Sequence, residues 1–393
     1  MGLVGPSRET LAAMARGLER LGYRVVYEAA PAPAEAAGAA ERLARLGAEV
    51  VVLPGSWGGP WARLSESLGV RVVRGAWSPS LTLAIVARWG VSRLSPEVEA
   101  EKAVGPDMAR LAVETLSELR AEPPGGAAFN LGGLRVPLRP PPLLVVSEVY
   151  PRSCDWEELT GEVYWRALEG ADVVSLGWDG RVPLDCYWRL LARLLDSWPA
   201  PVAADPGSPR LAVEAARRGA PLALSLTVET LGLVPPSLRR AAAFVVLAPG
   251  GLLRASEEAR RLGFERAILD PVLRPAGAPG ALGALCLARS ESGAAGYPLM
   301  VGLNNVVELM DGDTTGSTLL GAVLAAEAGA SLVMVGEESF KARGNTWEAR
   351  VAAGMASLSL YWGRPPKDLG LDLLLFKRKR GPVGEVGGRG GEG

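Results

Sequence analysis

The sequence predicts an α/β protein: a C-terminal (β/α)8 TIM barrel preceded by a smaller N-terminal parallel α/β domain. Three observations carry this expectation. Short apolar runs recur eight times between Leu143 and Val335. Amphipathic stretches with helical spacing, such as Leu211 to Arg218 and Ser317 to Ala328, fill the gaps. Pro/Gly clusters divide this series from an earlier, shorter α/β alternation.

In chain order, a helix is expected from Glu9 to Leu21, a strand from Arg24 to Tyr27 and a helix from Ala34 to Leu46. Strands follow at Glu49 to Leu53 and Val70 to Val73, with further helices to Arg120. The run Pro54-Gly-Ser-Trp-Gly-Gly59 is a Gly-rich turn at the C-terminal end of a strand, where open α/β sheets bind ligands. It fits neither GxGxxG nor GxxxxGK[ST], so a tight structural turn is the simpler reading. The N-terminal domain is placed at 1–125. A Pro/Gly-rich junction at 126–142 follows Ala121-Glu-Pro-Pro-Gly-Gly126 and contains Arg139-Pro-Pro-Pro142.

The barrel is placed at 143–365. Its strands are expected at Leu143 to Val146, Asp172 to Leu176, Pro201 to Ala204, Leu222 to Leu226, Phe244 to Leu247, Ala267 to Leu269, Leu299 to Val301 and Ser331 to Val335. Such continuous Val/Leu/Ala runs are what strands buried on both faces look like. A doubly wound open sheet is the alternative, although open sheets seldom need eight consecutive units. Residues 366–393 form an extension ending in a basic, Gly-rich tail with Lys377-Arg-Lys-Arg380, of the composition of a disordered end.

Hydrophobic residues make up 48% of the chain and charged residues 22%, enough apolar surface for a sizeable core. Lys and Arg number 42 against 43 acids, so no overall field favours a nucleic acid as partner. No long apolar run suggests a membrane span, and the first residues lack a basic-then-apolar leader pattern, so a cytoplasmic protein is expected. Cys154, Cys186 and Cys286 include no CxxC pair, which argues against a disulfide framework or thiolate zinc site and for a reducing compartment. The chain has no histidine, so Ser-His-Asp and Cys-His catalysis and His metal ligation are excluded. Carboxylates, Lys, Arg, amides, hydroxyls and backbone dipoles remain.

Barrel sites form where strands run into the loops after them. The polar groups there are Ser147 and Glu148, Trp178 and Asp179, Asp205, then Ser225, Thr227 and Glu229, and Asp270 before Pro271. A strand-end aspartate can accept two N–H donors from an aminopyrimidinone-type ring, which makes Asp205 and Asp270 candidates. Helix N-capping is the plain alternative for each. After the seventh strand stand Asn304 and Asn305, then Glu308, Asp311 and Asp313. These three acids are the set from which oxygen ligands to Mg2+ would come, with solvation or capping the competing reading. The last strand runs into Glu337, Glu338, Ser339, Lys341 and Arg343, which can form an internal ion-pair cluster or set two cations against an anionic ligand.

The stretch Asn304-Asn305-Val-Val-Glu308-Leu-Met-Asp311-Gly-Asp313-Thr-Thr-Gly316, with Ala326-Glu327-Ala-Gly and then Glu337-Glu338-Ser339-Phe-Lys341-Ala-Arg343-Gly344, resembles the C-terminal hallmark of the archaeal and methylotroph dihydropteroate synthase-related proteins. Their pattern is N-(V/I)-T-E-x-x-D-A-D-S-x-G followed by E-x-S-x-K-x-R-G. The resemblance implies a pterin-binding barrel with an extra N-terminal domain, and a transferase acting on a reduced pterin in tetrahydromethanopterin- or folate-type one-carbon cofactor biosynthesis. A pterin-dependent methyltransferase-like barrel and a non-catalytic pterin-binding regulator are the alternatives. It further implies that Glu148, Asp205, Asp270, Asn304, Asn305 and Glu338 contact the substrate, that Lys341 and Arg343 are the catalytic cations, and that a homodimer forms. The chain departs from true synthases at Glu148, where they carry Asn, at Ser225 and Thr227 for Asn-Asp, and at Asn304-Asn305 for Ser-Arg-Lys; it also lacks their final R-x-H. The lost bases are those that hold a diphosphate, which puts diphosphate chemistry in doubt more than pterin binding.

Overall fold

A computed structural model describes residues 1–277 and 280–375. The basic, Gly-rich tail expected around Lys377 to Arg380 lies outside the described residues. The chain begins with β1 (Gly2–Gly5), α1 (Arg8–Arg20), β2 (Val26–Ala29), α2 (Ala36–Arg45), β3 (Val50–Leu53), α3 (Trp61–Leu68), β4 (Arg71–Arg74) and α4 (Pro79–Trp89). The strands form a parallel sheet in the order β2-β1-β3-β4. Side chains alternate across it as strand geometry requires. Leu3, Val52 and Val73 join the core under α1 and α4, while Val4, Val51, Leu53 and Val72 pack with α2 and α3. The elements expected here are present within two residues of their ends. The central strand β1 is an addition to them, because Gly2 and Gly5 leave only Leu3 and Val4 to signal it.

Helices α5 (Ala100–Val104) and α6 (Asp107–Ala121) lead to a hairpin, β5 (Ala127–Leu131) and β6 (Leu134–Pro137). It occupies what the sequence shows only as a junction. Gly132 and Gly133, with φ of 53° and 89°, make the two-residue turn that needs left-handed backbone at both positions.

The barrel follows with β7 (Leu144–Val149), α7 (Trp156–Leu168), β8 (Val173–Gly177), α8 (Leu184–Ser197), β9 (Val202–Asp205), α9 (Pro209–Arg217), β10 (Leu222–Thr227), α10 (Leu238–Ala241) and β11 (Ala243–Leu247). It continues through α11 (Leu252–Arg261), β12 (Ala267–Asp270), α12 (Ala281–Ala295), β13 (Met300–Gly302), α13 (Asn304–Val307), α14 (Thr314–Glu327), β14 (Leu332–Gly336) and α15 (Asn345–Trp362). All eight expected strands are present and parallel, in the order β12-β11-β10-β9-β8-β7-β14-β13. A parallel bridge from Leu269 to Leu299 joins the two ends. The sheet is therefore a closed (β/α)8 barrel and not an open doubly wound sheet.

The interior of the barrel is apolar at its N-terminal end. Leu144, Val146, Val173, Ala203, Leu222, Ala243, Ile268, Met300 and Leu332 meet there, and Leu131 and Val136 of the hairpin pack against them. The hairpin thus plugs the bottom and leaves the C-terminal mouth as the face open to ligands. Cys154, in the loop after β7, and Cys186, near the start of α8, form a disulfide with their Cα atoms 5.8 Å apart. This corrects the expectation of reduced cysteines throughout: a separation of 32 residues says nothing of proximity, but adjacent βα units bring the two together. Cys286 is free and exposed. Among the described residues no helix is long and apolar enough to cross a membrane.

Candidate functional site

The period of two along each strand decides what points into the barrel mouth. Leu144 and Val146 face the interior, so Glu148 does too. Ala203 places Asp205 there, Ile268 places Asp270, Val173 places Gly177, and Leu332 and Met334 place Gly336. The inward positions at these strand ends are therefore three carboxylates and two glycines, with Gly177 between Glu148 and Asp205 and Gly336 on the other side of Glu148. Strand register sets Gly177 beside Asp205 and Gly336 beside Glu148.

Both glycines make room for neighbours. A Cβ on Gly177 would collide with the ring of Tyr150, and one on Gly336 would lie 3.2 Å from the Asn304 amide nitrogen. Tyr150 therefore folds back over the carboxylates two residues after Glu148. Sequence reasoning missed Tyr150, although the same alternation that selects Glu148 would have flagged it.

The three acids share one environment. Glu148 is only 5% exposed, and one of its carboxyl oxygens is buried without a hydrogen-bond partner among the described residues. Burial, and then the charge of Asp205, push its carboxyl up to about 8, with a smaller push from Glu338 and an opposing hydrogen bond from Tyr150. Burial likewise pushes Asp270 up to about 7; the Val272 N–H, donated at 2.7 Å, works against the rise, and the charge of Asp205 adds to it. Asp205 is also raised by burial, against hydrogen bonds from the Ser225 hydroxyl at 2.7 Å and the Gly207 N–H at 3.3 Å. Near neutral pH this layer holds both protonated and ionised carboxyls, so it can donate as well as accept.

Backbone strain sits at the same place. Of the non-glycine residues with left-handed φ among those described, Ser225 (73°) and Val272 (60°) directly serve Asp205 and Asp270. A register shift in β10 between Ala223 and Leu226 turns Ser225 toward Asp205. A β-branched residue such as Val272 in that region is an outlier that persists only where its surroundings enforce it. Neither acid spends its carboxylate on capping a long helix; Ser208, for example, caps α9.

The remaining candidates divide. Asn304 opens α13 against Gly336 and carries a buried side-chain oxygen with no partner among the described residues, so it stands at the mouth with an unused acceptor. Asn305 donates at 2.8 Å to the Leu273 carbonyl and ties two loops together. Glu338 pairs with Arg181 at 3.0 Å, and Arg181 also pairs with Asp179 at 2.8 Å. No sequence signal singles out Arg181. Glu337 plays a structural part. Burial raises it, but N–H donors from Thr346 and Gly344 and the Arg166 guanidinium at 2.9 Å outweigh that and hold it below the usual range.

The two expected cations are engaged outside the acidic layer. Lys341 donates to the carbonyls of Val307 and Met310 at the end of α13, and Arg343 stacks 4.3 Å over the exposed Phe340 ring. Among the described residues neither forms an ion pair with a carboxylate. Glu308 ends α13 and Asp313 precedes α14. They do not converge with Asp311, and no group of three acidic or thiol side chains among the described residues is placed to hold a metal. The three acids read as an Mg2+ set therefore do not form one cluster.

No family model matches the chain. It is 26% identical over 286 residues to an uncharacterized protein of Methanocaldococcus jannaschii, a match covering 68% of this chain and 54% of that one. The chain spans about half the length of that curated relative. Its path is also similar to that of three dihydropteroate synthases. The Vibrio fischeri enzyme shows 14% identity and a TM-score of 0.44, over 56% of this chain and 93% of that one. The Coxiella burnetii enzyme in complex with pteroic acid shows 17% and 0.43, over 55% and 92%. The Yersinia pestis enzyme with a pterine-sulfa conjugate shows 16% and 0.44, over 59% and 98%. The barrel assignment stands on its own strand order.

Proposed function

We propose that the mouth of the barrel binds a reduced pterin and that the protein performs group transfer on it in the biosynthesis of a tetrahydromethanopterin- or folate-type one-carbon carrier. The observation that carries this reading is the inward layer of Glu148, Asp205 and Asp270 on three strand ends. An aminopyrimidinone ring presents adjacent N–H donors and a carbonyl acceptor. An ionised aspartate takes the paired donors in a fork, and a protonated carboxyl beside it can give the carbonyl a hydrogen bond. Asn304 adds an acceptor, and Tyr150 covers the ring from the solvent side.

A second reading is favoured by the state of the cations. Arg181 is shared between two carboxylates and Lys341 between two carbonyls. Neither is poised on a diphosphate, which suits a pterin that serves as methyl donor or bound signal. No step is assigned to Mg2+.

Calorimetric titration with a reduced 6-hydroxymethylpterin and with its diphosphate tests both readings. Asp270→Ala should weaken pterin binding by roughly 10-fold to 100-fold, the worth of a buried hydrogen bond to a charged group. Binding of the paired N–H donors favours the ionised form of Asp270 and the ring carbonyl favours a protonated Glu148, so affinity should rise with pH toward about 7 and fall again above about 8. Binding of neither ligand by the folded protein would remove the pterin reading. Much tighter binding of the diphosphate would favour synthase chemistry over methyl transfer.

A further inference from the structure

The N-terminal sheet contains a second crevice. Its connections run from β1 outward to β2 on one side, and from β3 to β4 on the other, so the order β2-β1-β3-β4 reverses between β1 and β3. In open parallel sheets ligands bind outside the strand C-termini at such a reversal. A cavity of about 240 Å³ lies there, lined from the end of β1 through Ser7, from the end of β3 through Trp57, and by Ala76 and Trp77 after β4. It includes much of the Gly-rich turn that matches no nucleotide motif.

The lining specifies the ligand. Met14, Pro54, Trp57 and Trp77 make apolar walls, and among the described residues no Asp, Glu, Lys or Arg side chain lines the cavity. An apolar cavity of about 150 Å³ holds a benzene ring, so this one has room for a single ring with a substituent. Polar groups gather at one end. The hydroxyls of the exposed residues Thr10 and Ser56 stand at its solvent rim, and the first turn of the 13-residue helix α1 opens there with the Ser7 side chain engaging only the Thr10 N–H, at 3.3 Å. N–H donors and hydroxyls at a positive helix end suit an acceptor group.

We propose that this crevice is a ligand site, separate from the barrel mouth, for a single aromatic ring bearing a carboxylate, with the ring against Trp57 and Met14 and the carboxylate at the first turn of α1. Gly55 fits the same design: its N–H donates to the Ala76 carbonyl at 3.0 Å, and a Cβ there would collide with the backbone of Gly75 and Ala76, so the turn keeps the crevice floor tight.

Saturation-transfer NMR on the full chain with benzoate as the probe tests this, with benzyl alcohol as the uncharged comparator. Benzoate should bind, and benzyl alcohol should bind about 10-fold more weakly. Thr10 is an exposed rim residue, so Thr10→Phe should fold normally, fill the entrance and suppress benzoate transfer while leaving pterin binding in the barrel unchanged; Trp57→Ala should suppress it from the opposite wall. Absence of benzoate transfer in the parent protein overturns the proposal, as does transfer that persists in both variants. Equal binding of benzyl alcohol overturns the carboxylate assignment.

Discussion

Glu148 shows how a single residue links sequence, stability and chemistry. Its carboxyl rises from the ordinary glutamate range to about 8 because burial disfavours its charge and Asp205 adds to the penalty. Below the ordinary range both folded and unfolded chains carry the proton and the site costs nothing. As pH climbs toward 8 the unfolded chain sheds the proton and the folded chain keeps it, so stability falls across that window. Glu148→Gln removes the titration while keeping shape and polarity. The variant should therefore gain stability on the parent as pH rises from about 5 to about 8, which urea unfolding at several pH values would read. A parent-to-variant difference that does not change with pH would contradict the buried, raised carboxyl. Glu148, Asp205 and Asp270 are all legible in the sequence, because a carboxylate at the end of an apolar strand stands out. Tyr150 continues the same alternation one step past Glu148 and is legible too, whereas Arg181 lies in a loop whose course only the fold determines, and the bond from Lys341 to α13 depends on how two loops pack.

At the scale of elements, the bulge in β10 couples backbone shape to the site. Ser225 takes a left-handed φ of 73° and donates to Asp205 at 2.7 Å. These two features separate by mutation. Ser225→Ala loses the hydroxyl and keeps the unfavourable backbone, while Ser225→Gly loses the hydroxyl and relieves the backbone. The glycine variant should be the more stable of the two by about 1 kcal/mol in urea unfolding, and both should lose pterin affinity to a similar extent. If affinity followed stability instead, the hydroxyl would have no part in holding Asp205. The same scale explains which elements can be read in advance. Eight barrel strands stand out because burial on both faces demands unbroken apolar runs. The hairpin β5 and β6 does not, since its strands Ala127–Leu131 and Leu134–Pro137 mix exposed and buried positions. Its Gly132-Gly133 turn is the available signal, and the surrounding Pro/Gly clusters mask it as a junction.

Across the whole molecule, the N-terminal sheet and the barrel share one continuous apolar core that runs from Leu3, Leu11 and Ile85 through Leu111 to Ala353 and Trp362. Polar ties cross the same boundary. Ser80 at the start of α4 donates to the Trp362 carbonyl at 2.7 Å, and Arg364 just beyond α15 pairs with Glu101 of α5. That pair is almost fully buried, and one atom on each partner, Glu101 Oε2 and Arg364 Nε, has no hydrogen bond among the described residues. Burial raises the Glu101 carboxyl despite the guanidinium beside it and the Trp77 N–H, the mark of a pair whose desolvation outweighs its attraction. Removing one partner should then be far worse than removing both. Arg364→Met alone leaves a buried carboxyl without its cation and should cost about 3 to 5 kcal/mol in chemical denaturation. Adding Glu101→Leu should recover most of that loss, short of the hydrogen bond that Trp77 donates at 3.3 Å. A double variant that stayed as unstable as Arg364→Met alone would mean that the pair contributes net stability beyond its desolvation, and that the ion pair rather than the apolar core fastens the sheet to the barrel.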